Sequence, residues 1–132
     1  MTRWIEKIQI SLSPELLKKQ YRTANETNPL FGHCYVATEV LYHLMGSQEV
    51  KPCCGKDEQG IVHWWLQYKK SGKRIDVTSD QYTSVGNTPP YAVGKGCGFL
   101  TKLPSKRTQT VIDRVLGHDL VECENTPEIK YV

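Results

Sequence analysis

Three residues of this chain carry the parts of a nucleophilic acyl-transfer site. Cys34 stands at the start of a predicted helix, His63 on a predicted strand, and Asp76 on the strand that returns from it. A thiol attacks a carbonyl as thiolate, and a free cysteine is mostly protonated at neutral pH. The partial positive charge of a helix N-terminus lowers the thiol pKa. An adjacent imidazole does the same and then shuttles the proton. A carboxylate fixes the imidazole tautomer and orientation. The transition state also needs donors for its oxyanion. The backbone N–H of Cys34 is one candidate, since the first amides of a helix are unpaired. The side chain of Asn28, six residues earlier, is a second.

The elements that must position these residues follow from hydrophobic period. Ala37, Val40, Leu41 and Leu44 fall at i, i+3, i+4 and i+7, so a helix runs from Gly32-His33-Cys34 to Gly46. Cys34 then lies on its core-facing side, at the N-terminal mouth. From Ile61 to Tyr68 the period changes to two. Val62, Trp64, Leu66 and Tyr68 face one way, and Ile61, His63, Trp65 and Gln67 face the other. Lys70-Ser71-Gly72-Lys73 reads as a hairpin turn, with Arg74 to Thr78 as the return strand.

A two-residue turn at Ser71-Gly72 pairs Tyr68 with Ile75 and Leu66 with Val77, apolar against apolar. The same parity puts Asp76, Thr78 and Asp80 on the face that carries His63. In that register Asp80 lies directly opposite His63. Asp76 is displaced along the strand unless a longer turn or a bulge brings it back. Asp76 is the first choice for the orienting carboxylate and Asp80 its rival.

Around this centre, a first helix is expected from Ser13, as cap, to about Asn25. Pro14 and Glu15 would lie in its first turn, and Leu16, Leu17, Gln20 and Tyr21 would form its inner stripe. Pro89, Pro90, Pro104 and four glycines make residues 83–104 loops with one short strand. A last helix fits Ser105 to Leu116, with Ser105 as cap and Gly117 as stop. Lys106 and Arg107 oppose the dipole of its first turn, as a contact for an anion or as solvated charges. Val121 to Val132 reads as an edge strand or a loose tail.

The segment Asn28-Pro29-Leu30-Phe31-Gly32-His33-Cys34-Tyr35-Val36-Ala37 resembles the helix start N-P-x-x-G-x-C-A of the YunG-like family of small bacterial and phage proteins. His63-Trp64-Trp65 is similar to that family's H-x-W strand. Ile75-Asp76-Val77-Thr78-Ser79-Asp80-Gln81 is similar to its I-D-x-T-x-D-Q strand, and Pro104-Ser105-Lys106-Arg107 to its P-x-x-R helix start. The likeness spans about residues 28 to 115. The H-x-W and D-x-T pieces also resemble transglutaminase-like domains, and the helix-then-sheet order resembles NlpC/P60 peptidases. The resemblance implies an α+β, papain-like fold, N-terminal helices on a small antiparallel sheet, with a Cys-His-Asp triad of Cys34, His63 and Asp76. It also implies an oxyanion role for Asn28, which stands where papain-like enzymes carry a glutamine. It implies no substrate.

The rest of the composition narrows the surroundings. The chain of 132 residues fits a single domain over 1–132. Its 39% apolar and 23% charged residues are an ordinary globular balance. A net charge of +3 is spread along the chain, with only Lys102, Lys106 and Arg107 grouped, which argues against a nucleic-acid partner. No apolar run is long enough to cross a bilayer, and Met1 to Ile10 mixes Arg3, Glu6 and Lys7 with apolar residues, unlike a signal peptide. Five cysteines, an odd number without a secretion signal, point to free thiols and the cytoplasm.

Cys53-Cys54, Cys97 and Cys123 lack the C-x2-C pairs of a structural zinc site, so neither metal nor cofactor is expected. His33, Trp65 and Gln81 are expected to wall the substrate cleft, with Tyr82 and Tyr91 as further candidates. Trp64 is expected in the core, His43 on the surface, and His118 beside the end of the last helix. The expected substrate is a protein, a peptide or a small amide. The alternative is an inactive binding or inhibitory protein on the same scaffold, for example a phage protein acting on a host partner.

Overall fold

The computed structural model describes residues 2–17, 25–26, 28, 30, 32–99 and 103–124, with the backbone alone for 2–3 and 118–124. Its elements are helix α1 (Thr2–Ser11), a 3-10 turn (Pro14–Leu16), helix α2 (Cys34–Met45), strands β1 (Val50–Lys56), β2 (Val62–Tyr68) and β3 (Arg74–Ile75), a short helix α3 (Asp80–Thr83), a second 3-10 turn (Tyr91–Val93), strand β4 (Lys95–Gly96) and helix α4 (Lys106–Glu124). The strands form one antiparallel sheet in the order β3-β2-β1-β4. The class is α+β.

Helix α2 packs on β1 and β2 and is itself packed by α1 and α4. Its expected stripe holds: Ala37, Val40 and Leu41 are fully buried, against Ile8 of α1, Val50 of β1, Leu66 of β2, and Val111 and Val115 of α4. Each buried valine, leucine and isoleucine among them contributes about 1.5–3 kcal/mol by leaving water. Gly46 ends the helix at φ 97°, a left-handed conformation that costs glycine little. A carboxyl group sits inside this core. The Glu39 carboxylate of α2 is fully buried, accepts the Tyr35 hydroxyl at 3.1 Å, and accepts the Ser105 backbone N–H at the start of α4 at 3.2 Å.

The hairpin keeps the expected parity and changes the register. Leu66 pairs with Ile75 and Gln67 with Arg74. The Tyr68 N–H donates to the Lys73 carbonyl at 2.8 Å, and the Gly72 N–H to the Tyr68 carbonyl at 3.0 Å. Residues 69–72 therefore form a four-residue loop in place of the two-residue turn, with Gly72 at φ 74°. The slip is two residues, so no side chain changes face. The return strand is also shorter than expected, ending at Ile75.

Three other expectations are corrected. Ser13 does not begin a long helix: Pro14–Leu16 is a single 3-10 turn, and Leu17 is already extended. The Ser13 hydroxyl is engaged by the Arg114 guanidinium at 2.6 Å, and Arg114 also reaches Glu15 at 3.1 Å. Leu16 and Leu17 are buried as expected, while Gln20 and Tyr21 lie outside the described residues. Helix α4 runs through Gly117 to Glu124, so Gly117 is no stop and His118 lies inside the helix. Ser105 does cap it, its hydroxyl accepting the Thr108 N–H at 3.2 Å. Arg107, read as an anion contact or a solvated charge, donates to the Leu16 carbonyl at 3.1 Å. The tail beyond Glu124 lies outside the described residues.

Strand β1 was not anticipated. Pro52 sits at its centre, and a proline reads against an internal strand. The Pro52 carbonyl accepts from the Cys97 N–H at 3.1 Å, on the β4 side. A strand residue aims its N and C=O at the same neighbour, so the missing N–H faces the short β4 and leaves the β2 ladder intact.

The cysteines are not all free. Cys54 is bonded to Cys97, while Cys34 and Cys53 are free and buried. Pairing of Cys54 with Lys95 brings Cys97 within a Cα separation of 6.0 Å. The thiol-count case for a reducing compartment therefore does not hold for this pair. No helix among the described residues is long and apolar enough to cross a membrane.

Candidate active site

Cys34 is the first residue of α2, and its thiol lies 3.6 Å from the Val62 carbonyl at the start of β2. His63, the next residue of β2, is fully buried and lies near enough to Cys34 for the thiol to help raise its pKa. On its other side, His63 Nε2 lies 2.6 Å from Asp76 Oδ2. Cys34, His63 and Asp76 thus gather around the start of β2.

Asp76 is held at both oxygens. Oδ1 accepts the Thr78 backbone N–H at 3.1 Å, and Oδ2 also accepts the Tyr91 hydroxyl at 2.7 Å. An ionised carboxylate only accepts, so Nε2 carries the proton toward Asp76 and Nδ1 is the nitrogen available to the thiol. Proton transfer from Cys34 to Nδ1 would then give an imidazolium held by Asp76. Burial lowers the pKa of His63, but its contacts with Asp76 and Cys34 outweigh it and raise it to about 9.

The ring of His63 is clamped by aromatics. Trp65 stacks on it with centroids 5.8 Å apart, and Tyr82 meets it edge-on at 4.9 Å. Trp65 is buried and lies on the His63 face, as parity requires. Tyr91 meets Trp65 edge-on at 5.1 Å. Tyr82 donates to Asp57 Oδ2 at 2.8 Å. Burial, then the bonds to Asp57 and Asp76, raise both phenols well above their usual range.

Gln81 is brought closer than a cleft-wall role requires. Its amide nitrogen is 3.5 Å from His63 Nδ1, the side chain is buried, and Oε1 has no partner among the described residues. Asn28 lies beside it: Asn28 Nδ2 donates to the Gln81 carbonyl at 2.7 Å. One N–H of Asn28 is therefore committed to holding Gln81. The rival carboxylate Asp80 starts α3, is exposed, and accepts from Thr83 at 3.2 Å. His63 makes its carboxylate bond with Asp76.

His33 precedes Cys34 and is buried, not open to a cleft. Burial, then the nearby positive charge of Arg107, lowers its pKa to about 4, so it is neutral. Trp64, expected in the core, is half-buried, stacks on Phe99 at 5.6 Å and meets Tyr35 edge-on at 5.0 Å. His43 is half-buried beside Tyr42. Asp57 was not singled out in the sequence. Its signal was the turn Asp57-Glu58-Gln59-Gly60, where its Oδ1 accepts the N–H groups of Gln59 and Ile61, each at 2.9 Å. Among the described residues no group of three His, Cys, Asp or Glu side chains could hold a metal ion.

The arrangement can therefore ionise a thiol, hold the resulting imidazolium, and return its proton to a leaving group. Comparison with protein-family models, with curated proteins and with solved structures gave no match.

Proposed function

We propose that the chain is a papain-like cysteine hydrolase or acyltransferase acting on an amide or peptide bond. The observation that carries this is the buried His63 bonded to Asp76 Oδ2 at 2.6 Å, beside a helix-start cysteine whose thiol lies 3.6 Å from the carbonyl of the residue before His63. Cys34 attacks the carbonyl carbon as thiolate, and the C–N bond breaks as His63 gives its proton to the leaving amine. The thioester is then released by water or by an acceptor amine, with His63 as base. The Cys34 backbone N–H and the Gln81 side-chain amide are the oxyanion donors favoured by position. Asn28 acts through Gln81. The likeness of the Asn28–Ala37, His63–Trp65 and Ile75–Gln81 segments to the YunG-like family supports the same assignment.

A second reading is a binding or inhibitory protein on this scaffold. It is favoured by the closure of the dyad: His63 has no exposed surface and Cys34 is 7% exposed. Iodoacetamide at neutral pH separates the two. One fast-reacting thiol at Cys34, slowed by His63→Ala, supports acyl chemistry. A Cys34 that labels no faster than Cys53 supports the binder.

A further inference from the structure

The stretch from Tyr91 to Cys97 lies beside the site as a strap. Gly55 pairs with His63 across β1 and β2. Pro90 and Gly94 lie over Gly55 so closely that a Cβ there would come within 2.9 Å of the Pro90 carbonyl. Gly94 then passes against the Trp65 ring, which stacks on His63. At the start of the strap the Tyr91 hydroxyl donates to the Asp76 oxygen that also faces His63. The strap thus bears on His63 through Trp65 and on Asp76 directly.

Burial does not hold this strap in place. Ala92, Val93, Gly94, Lys95 and Gly96 are all exposed, so the stretch gains little by leaving water. Its backbone bonds to β1 come from the two-residue β4, Lys95 against Cys54 and Gly96 against Cys53, and from the Cys97 N–H to the Pro52 carbonyl. So short an edge ladder is weak by itself. Before the strap Pro89 is buried, and beyond it Phe99 stacks on Trp64, so the flanking chain is anchored independently. The Cys54–Cys97 bond is the covalent clamp on the strap, and the loop that it closes encloses His63, Asp76 and Tyr91.

Cys54 pairs with Trp64 and so faces the side of the sheet opposite His63 and Trp65. Cys54 and Cys97 are both half-buried, so a small dithiol reaches their bond without entering the site. The dithiol gives up two electrons and two protons. The S–S bond breaks, Cys54 and Cys97 become thiols, and the reagent closes to its own disulfide. We propose that Tyr91 is a positioning residue for Asp76, and that the Cys54–Cys97 bond clamps the strap that presents it, so that reduction by a dithiol turns the site down. The catalytic consequence rests on the acyl-transfer reading of the site.

The test follows the Nε2 proton of His63 in the full chain by proton NMR, identified by its loss in His63→Gln. Dithiothreitol is the reductant, and far-ultraviolet circular dichroism reports whether the fold persists. The expected result is exchange of this proton with water about tenfold or more faster after reduction, the loss of one hydrogen bond to a charged group. Tyr91→Phe, which keeps the ring and removes the donor, should give the same rise in the oxidised chain. Both changes act through one contact, so reducing Tyr91→Phe should add less than about twofold. A bond that only stabilised the fold would add its full effect in both backgrounds. The C54S/C97S chain should exchange fast and ignore dithiothreitol. Exchange that ignores reduction overturns the proposal, as do additive effects of the two changes and an oxidised chain without the proton signal. A reduced chain that loses its whole fold also overturns it, because the bond then holds more than the strap. Iodoacetamide labelling of the oxidised chain is scored separately. Fast Cys34 labelling with a proton that ignores reductant overturns the clamp alone. A proton that responds, with Cys34 no faster than Cys53, overturns the acyl-transfer reading alone.

Discussion

Nε2 of His63 and Oδ2 of Asp76 lie 2.6 Å apart, although the last cross-strand pair of their hairpin is Leu66 with Ile75. The carboxylate sits just past the strand, where the chain turns and the Thr78 N–H can hold its second oxygen. The loop at 69–72 makes this meeting. A two-residue turn would have set Asp76 two residues farther along β2.

Asp76→Asn should slow Cys34 alkylation by iodoacetamide at neutral pH. The amide removes the negative charge and the strongest acceptor facing Nε2, leaving burial as the dominant influence on His63. A fall of even one pKa unit costs about tenfold in imidazolium stability, so a loss of about tenfold or more in rate is expected. Asp80→Asn, at an exposed position, should leave the rate unchanged. An equal effect of the two would exchange their roles.

The pH dependence has a defined sign. His63 rises from an ordinary 6.5 to about 9 in the folded chain. Its contribution to stability is therefore full below about 6.5 and lost as pH rises through about 9. Melting temperatures should fall across that window in the parent and much less in His63→Gln. His33 runs the other way. Its pKa of about 4 means that its contribution is full above about 6.5 and lost as pH falls through about 4. His33→Gln should flatten that acid limb.

Gly94→Ala should destabilise the fold by about 1–3 kcal/mol, the cost of overpacking. A Cβ there would lie 2.3 Å from Trp65 Cζ2 and 3.1 Å from the Tyr91 carbonyl. The indole cannot retreat without pressing on His63, on which it stacks. Gly96→Ala, with nothing within 4 Å of its Cβ, is the control. Urea midpoints of the two variants check the contrast.

Reduction of Cys54–Cys97 should lower stability by about 2–4 kcal/mol, since the bond closes a span of 43 residues. Cys97→Ser should show the same loss and no further response to reductant. A parent chain whose urea midpoint ignores reductant would contradict this.

The site was more legible than the frame around it. Cys34 and Ala37 sit on one helix, so four apolar residues fixed the face of the thiol. His63 and Asp76 share parity, which survives a two-residue slip. Register itself was not legible, because Ser71-Gly72 fits a tight turn as well as it fits the end of a longer loop. Strand β1 was hidden by Pro52 and Gly55, whose types argue against a strand and whose neighbours supply the pairing. Helix α1 was hidden because Arg3, Glu6 and Lys7 interrupt the apolar pattern of the sequence before the buried Ile8. The disulfide could not be read from spacing, because Cys54 and Cys97 meet only after β4 has paired.

Glu39 sets the rotation of the helix that carries the thiol. A cylinder packed only by apolar side chains can roll with little penalty, since one methyl replaces another. Tyr35, one turn back on the same helix, holds one oxygen of Glu39, and the Ser105 N–H just before α4 grips the other from outside, so α2 has a fixed angular phase. A roll of about 20° would sweep a tip at the ~5 Å outer radius of the helix through about 2 Å. That exceeds the roughly 0.5 Å within which reacting groups must be held. The buried carboxylate, on the turn after Cys34 and remote from its chemistry, acts as the keyway that keeps the sulfur aimed at His63.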